Sequence, residues 1–159
     1  MDTKDWILLF VTVFVGALFS VIISNVSIHL TDKKKMKQNI LIRRLELTIP
    51  YIEAIRKQII DACCQLTDNF EETLKMFFIV SGDFQVYLQD NKGSMQKEQN
   101  LYKKDYLHIE LLEKITEEVI SAGKSMKTDE NAFAQHYKTT EKLCNEILLL
   151  YNATLVELR

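Results

Sequence analysis

The sequence predicts an all-α protein, with one N-terminal transmembrane helix followed by a cytoplasmic antiparallel helical bundle with coiled-coil character. Three observations lead to this fold class. A long apolar run lies near the N-terminus, the apolar residues after it recur at steps of three and four, and the chain of 159 residues has only four glycines and one proline. Sheets joined by tight turns need more glycine and proline than this, so helices are expected throughout.

The apolar run, residues 6–30, contains no Asp, Glu, Lys or Arg. At about 1.5 Å per residue, a helix of this length exceeds the ~30 Å hydrocarbon core of a bilayer, so it can cross once with some tilt. Trp6 stands where an interfacial aromatic anchor is expected. A cleavable signal peptide is the rival interpretation, but Asp2, Asp5 and the length of the run argue against it.

The charges on the two sides of this run predict its orientation. Lys4 is the only basic residue before it, whereas a basic group follows closely: Lys33, Lys34, Lys35, Lys37, Arg43 and Arg44. Positive residues stay on the cytoplasmic side, so residues 1–5 are expected outside and residues 31–159 inside, with the protein in the cell (inner) membrane. The same six side chains are predicted to contact lipid headgroups from a basic juxtamembrane helix, residues 31–49. Nucleic acid is not expected as a partner, because no aromatic residues alternate with the basic ones.

Small residues recur at every fourth position within the apolar run: Thr12, Gly16, Ser20 and Ser24. This spacing places them on one face of a helix, where a neighbouring helix can approach closely, and it predicts a homo-oligomer. The alternative is a chance alignment, since small residues are common in spanning helices. The polar residues at the inner end could either line a pore or lie at headgroup depth: Asn25, Ser27 and His29.

Residues 50–159 are predicted to form the cytoplasmic bundle. Pro50 either kinks a long helix or begins a new one, and we expect a helix boundary there. The expected elements are a juxtamembrane helix over 33–49, a second helix over 50–80 ended by Ser81-Gly82-Asp83, a short helix near 84–88, a loop at 90–94, a third helix over 95–122 and a fourth over 130–158. Core positions are expected at Leu111, Ile115 and Ile147.

No residue pattern in the sequence is typical of catalysis, cofactor binding or metal binding. No two glycines lie close enough together to form a phosphate-binding loop. Asp105 and His108 have a spacing that could place two ligands on one face, but they lack further ligands and are expected to be a surface pair. The cysteines, Cys63, Cys64 and Cys144, form a poor disulfide framework and suit a reducing cytoplasm. We therefore expect no enzyme activity, no cofactor and no metal.

Two functions are compatible with these predictions. The first is a membrane-anchored interaction protein that oligomerises and tethers a cytoplasmic protein partner at the membrane. The alternative is an oligomeric membrane-disrupting or pore-forming effector, toxin-like or acting in antiviral defence, that is triggered through its cytoplasmic domain.

Overall fold

The computed structural model shows four α-helices in the part of the chain that it describes. The backbone is described for residues 3–64, 70–125 and 129–158, and side chains for residues 14–61, 71–125, 129 and 131–158. The helices are α1 (Thr3–Cys64), α2 (Phe70–Gln99), α3 (Ile109–Ser125) and α4 (Glu130–Leu158). No strand occurs in these described ranges, and the predicted all-α class is confirmed.

The chain divides into two compact units, residues 1–39 and residues 40–159. The second unit begins earlier than the predicted boundary at residue 50, because Leu41 and Leu45 are already buried in its core. The part of α1 from residue 40 onward is therefore the first helix of the bundle.

The predicted helix boundary at Pro50 is wrong. Pro50 is exposed on α1, and the helix continues through it to Cys64. A proline inside a helix removes one backbone hydrogen bond and costs about 3 kcal/mol. Burial of Leu45 and Ile52 on the opposite face offsets that cost, since both side chains are fully enclosed.

The predicted breaks within residues 81–94 are also wrong, since this whole segment belongs to α2. Glycine lowers helix stability by only about 1 kcal/mol, and tertiary packing readily overrides such a preference. Here the packing comes from Phe84 and Leu88, which are buried in the bundle. The predicted helix over 95–122 is instead interrupted at residues 100–108, whereas the prediction for α4 is confirmed.

Each helix of the second unit is antiparallel to the next. Arg44 contacts Glu98, while Tyr51, later in α1, stacks on Tyr87, earlier in α2, with ring centroids 4.4 Å apart. For α2 and α3 the contacts are Lys92 with Glu113 and Phe78 beside Gly123. For α3 and α4, Glu118 contacts His136, and Leu107, just before α3, accepts a hydrogen bond from Tyr151 in the second half of α4. Between α1 and α4, the Tyr137 hydroxyl donates to the Gln58 carbonyl. These contacts define a four-helix bundle.

The core lies between the four helices and contains residues from each of them. Its fully enclosed side chains include Ile52, Ile55 and Ile59 of α1, Phe77 and Phe84 of α2, Leu112 and Ile115 of α3, and Ile147 and Tyr151 of α4. The predicted core positions Ile115 and Ile147 are therefore confirmed. Leu111 is only partly buried, because Leu112 takes the inward position one turn before Ile115.

Candidate membrane-binding segment

The first unit carries an exposed, uncharged and largely apolar surface on α1. Every side chain from residue 14 to residue 30 is exposed, including Phe19 at 61% and Ile23 at 65%. An 18-residue stretch of this helix has a mean hydropathy of 1.7 and none of it is buried. By length and composition the helix can cross a membrane, and it is the one such helix found among the described residues.

Three of the four predicted packing residues line a shallow groove on this helix. Gly16, Ser20 and Ser24 lie in it together with Ser27, and larger side chains border it: Phe19, Ile23 and Ile28. The side chain of Thr12 lies outside the described residues. Ser27 was not included in the predicted packing face, although its step of three residues from Ser24 continues the same face.

Gly16 borders open space in the described part of the chain. A Cβ atom built on it would meet nothing within 4 Å. Glycine in a helix interior is less stable than alanine by about 1 kcal/mol, so this residue lowers helix stability without any compensating contact in the single chain.

The predicted headgroup-contacting residues do not all have the same surroundings. Lys33, Lys34, Lys35 and Arg43 are exposed, and Lys37 is half-buried. Arg44 differs from these, since only 12% of its side chain is exposed and it forms an ion pair with Glu98. Its assignment as a lipid contact is therefore corrected.

Arg44 joins α1 to α2 through four hydrogen bonds. Its Nε and Nη2 each donate to a different carboxylate oxygen of Glu98 at 2.7 Å, a paired geometry that is among the stronger side-chain contacts in proteins. Its Nη1 donates to Asn91 Oδ1 at 2.9 Å, and Nη2 also donates to Ser94 Oγ at 3.0 Å. The bonds to Glu98 hold the pKa of Arg44 above its ordinary value. No local sequence pattern predicts this pairing, because Arg44 and Glu98 are 54 residues apart.

Residues 100–108 form an ordered loop held by one amide. The Gln99 side-chain nitrogen donates to the Lys104 carbonyl at 2.6 Å, and its oxygen accepts from the N–H groups of Tyr106 and Leu107 at 3.1 and 3.0 Å. The buried Tyr151 hydroxyl donates to the Leu107 carbonyl at 2.6 Å. These bonds replace the helical ones and explain why helix formation stops at Gln99.

The pair Asp105 and His108, expected on the surface, has a structural role at the start of α3. Asp105 Oδ1 accepts from the backbone N–H of His108 at 3.0 Å, and the His108 carbonyl accepts from the N–H groups of Leu111 and Leu112. His108 has a φ of 46°, in the left-handed region that non-glycine residues seldom adopt. Its Nδ1 lies 3.8 Å from Asp105 Oδ2.

Cys144 is the one cysteine whose side chain lies in the described ranges. It is buried on α4, and burial raises the pKa of its thiol to about 12. A thiol with so high a pKa remains protonated and unreactive near neutral pH. No group of three His, Cys, Asp or Glu side chains that could hold a metal is found in the described part of the chain.

These features define the class of protein: a helical bundle whose first helix also carries an exposed apolar segment of membrane-spanning length. No protein-family model, no curated protein and no solved structure matches the chain.

Proposed function

We propose that this chain is a single-pass, membrane-anchored interaction protein that oligomerises and holds a cytoplasmic protein partner at the membrane. The observation that carries the proposal is the apolar surface of residues 14–30, on which no side chain is buried. Water-soluble proteins seldom leave so large a continuous apolar surface in solvent, and lipid is the environment that it fits.

The oligomer is supported by the groove around Gly16. Helices in lipid associate through close backbone approach, since the lipid tails are as apolar as the side chains and the hydrophobic effect contributes little. The groove has small residues along its length and larger ones at its borders, and a Cβ added at Gly16 would meet no described atom within 4 Å. A second copy packed in the groove would explain the glycine at position 16, because the absence of a side chain lets the neighbouring helix approach closely.

The test compares Gly16→Ile with Val15→Ile by cross-linking the full chain in native membranes. The space around Gly16 is open in the single chain, so the new side chain should leave the helix intact and obstruct only a neighbouring copy. Oligomer bands should disappear in Gly16→Ile and persist in the Val15→Ile control. Equal bands in the parent and both variants would mean that the groove is not the interface.

The partner surface proposed for the bundle is the outer face of α4. Leu149 and Val156 are 72% and 79% exposed, and their seven-residue separation places them on the same side of the helix, as in a coiled coil. Pull-down from solubilised membranes with the parent and with Leu149→Ser tests this surface. A partner that is recovered equally with both proteins would exclude this face as its binding site.

A pore-forming effector is the second candidate, because Asn25 and His29 are exposed near the inner end of the apolar segment. In an oligomer, Asn25 could hold water inside the bilayer, whereas an Asn at headgroup depth contributes little to packing. Membrane potential after overexpression separates the two functions. A scaffold leaves the potential unchanged, while a pore collapses it, and Asn25→Leu should then restore it.

The proposed orientation places residues 1–5 outside and the bundle in the cytoplasm. The exposed Lys33, Lys34 and Lys35 support it, since basic residues remain on the cytoplasmic side. A reporter that is active only outside the cytoplasm, fused after Arg159, should be inactive. Strong reporter activity would reverse the orientation.

A further inference from the structure

The apolar segment of α1 has small side chains on one side and large side chains on the opposite side. The groove around Gly16 contains the small residues Ser20 and Ser24. Leu18 and Ile22 are 50% and 57% exposed, and neither lines this groove. At 3.6 residues per turn, both point at least about 120° away from each of the three small residues. The large residues therefore form a separate face of the same helix.

Asn25 lies on the face with the large residues. It follows Gly16 by nine residues, which is about two and a half turns, and Leu18 by seven, which is about two turns. Its side chain is exposed and forms no hydrogen bond in the described part of the chain. In the proposed anchor, Asn25 lies five residues inside the inner end of the apolar run. An amide within lipid is costly unless it is hydrogen-bonded, so Asn25 needs a partner from another molecule.

The groove contains the hydrogen-bonding groups that Asn25 lacks. Ser24 and Ser27 both line it. The Thr31 hydroxyl donates to the backbone carbonyl of Ser27 at 2.8 Å, and the two serine hydroxyls form no hydrogen bond with any residue whose position is described. Along the helix axis, they differ in height from Asn25 by about 1.5 and 3 Å. A second copy with the same orientation in the membrane presents these hydroxyls at the depth of Asn25.

We propose that the groove of one copy receives the face of a second copy that carries Leu18, Ile22 and Asn25. The two large apolar side chains pack over the small residues, and the Asn25 amide bonds to the serine hydroxyls of its neighbour. A groove-to-groove pair is less favourable, because it leaves Asn25 in lipid on the far side of each helix. This inference rests on the proposed membrane anchor and groove interface, and it names the surface that fills the groove.

The contact between opposite faces determines the kind of assembly. Each copy offers a groove to one neighbour and its large-residue face to another. Such a head-to-tail contact does not close at two copies, whereas a groove-to-groove contact does. The oligomer should therefore extend beyond a dimer.

Disulfide trapping of the full chain in native membranes distinguishes the two arrangements. In a background of Cys63→Ser and Cys64→Ser, Ser20→Cys places a thiol in the groove and Ile22→Cys places one on the opposite face. The two thiols differ in height by about 3 Å. Cys144 is buried in the bundle and is left unchanged. On oxidation, the chain with both thiols should give a ladder of dimers, trimers and longer products, and each single variant should give several-fold less product.

The role of Asn25 is tested in the chain that carries both thiols. Asn25→Val should reduce the ladder several-fold. Adding Val26→Asn keeps the composition of the parent but moves the amide by about 100° around the helix, and it should not restore the ladder. Ser24→Ala with Ser27→Ala should cause a similar loss alone and little further loss in Asn25→Val, as expected for partners in one contact. Restoration by Val26→Asn, or additive losses, would overturn the proposed hydrogen bond.

The remaining outcomes separate this inference from the proposed function. If Ser20→Cys alone gives as much dimer as the chain with both thiols, and the latter stops at dimers, the grooves face each other. That result overturns the contact between opposite faces and keeps the groove interface. If no variant forms disulfides although the protein floats after an alkaline carbonate wash, both this contact and the groove interface are overturned, and the anchor remains. Protein that does not float overturns the anchor itself.

Discussion

Residues 14–30 and residues 40–61 belong to the same helix but distribute their apolar side chains differently. In the first segment no residue is charged, apolar residues occupy all sides of the helix, and every side chain is exposed. In the second, the apolar side chains of Leu41, Leu45, Ile52, Ile55 and Ile59 form one buried stripe, and most exposed positions are charged. A helix with one apolar stripe is stabilised by packing that stripe against other helices, whereas a helix with apolar residues on all sides is stabilised only in an apolar environment. The arrangement of apolar residues therefore separates a bundle helix from an anchor more clearly than their number does.

Core truncation should give the largest contrast between the two segments. Ile52→Ala removes a fully buried side chain and should lower the free energy of unfolding of the bundle by about 2–5 kcal/mol, as should Ile115→Ala. Ile22→Ala, at a position 57% exposed, should leave it unchanged. Urea unfolding of the full chain in detergent, followed by tyrosine fluorescence, measures both. Equal losses at positions 22 and 52 would mean that the first segment is also part of the folded core.

Arg43 and Arg44 are neighbours in sequence, and their substitution should show how differently an exposed and a paired charge affect bundle stability. Arg44→Met leaves the carboxylate of Glu98 without its main partner and should cost about 2 kcal/mol of bundle stability, typical of lost hydrogen bonds to a charged group. Arg43→Met, on the exposed face, should cost little. Adding Glu98→Gln to Arg44→Met removes the unpaired charge and should recover part of the loss. No recovery would show that the loss does not come from the unpaired carboxylate of Glu98.

Substitution of the helix glycines by alanine should give the smallest changes in the free energy of unfolding. Gly82→Ala and Gly93→Ala should each stabilise the bundle by about 1 kcal/mol or slightly less, because an added Cβ meets nothing within 4 Å at either position. Gly123→Ala should gain less, since its Cβ would lie 3.4 Å from the Phe78 ring. Thermal unfolding of the three variants ranks them. Destabilisation by Gly82→Ala or Gly93→Ala would indicate that another molecule packs closely on α2.

The sequence predicted the features that depend on local patterns. Apolar periodicity located α4 and the core positions Ile115 and Ile147, and the absence of charge located the exposed apolar segment. It failed where long-range packing overrides local preference, as at Pro50 and at Gly82.

The candidate surfaces also divide into features that follow from local patterns and features that depend on long-range packing. The spacing of Gly16, Ser20 and Ser24 predicted that they share one face of α1, and they do lie side by side there, while their role in helix packing stays a prediction. The surroundings of Arg44 could not be predicted, because a lysine-rich context indicates an exposed side chain until the helix carrying Glu98 is placed beside it. The loop over residues 100–108 was missed for a related reason, since the end of α2 depends on hydrogen bonds from a single side chain, that of Gln99.

The hydrogen bonds of Gln99 also limit where the chain can be altered. A nine-residue connection between α2 and α3 is the usual choice for inserting an affinity tag or a fluorescent protein. Here an insertion between Lys104 and Leu107 would separate groups that one amide must reach simultaneously, and it would also displace the acceptor of the Tyr151 hydroxyl. Even an exchange of one atom, Gln99→Glu, would place a carboxylate oxygen against the Lys104 carbonyl. For this protein, a loop that lies at the surface is among the least permissive places for engineering.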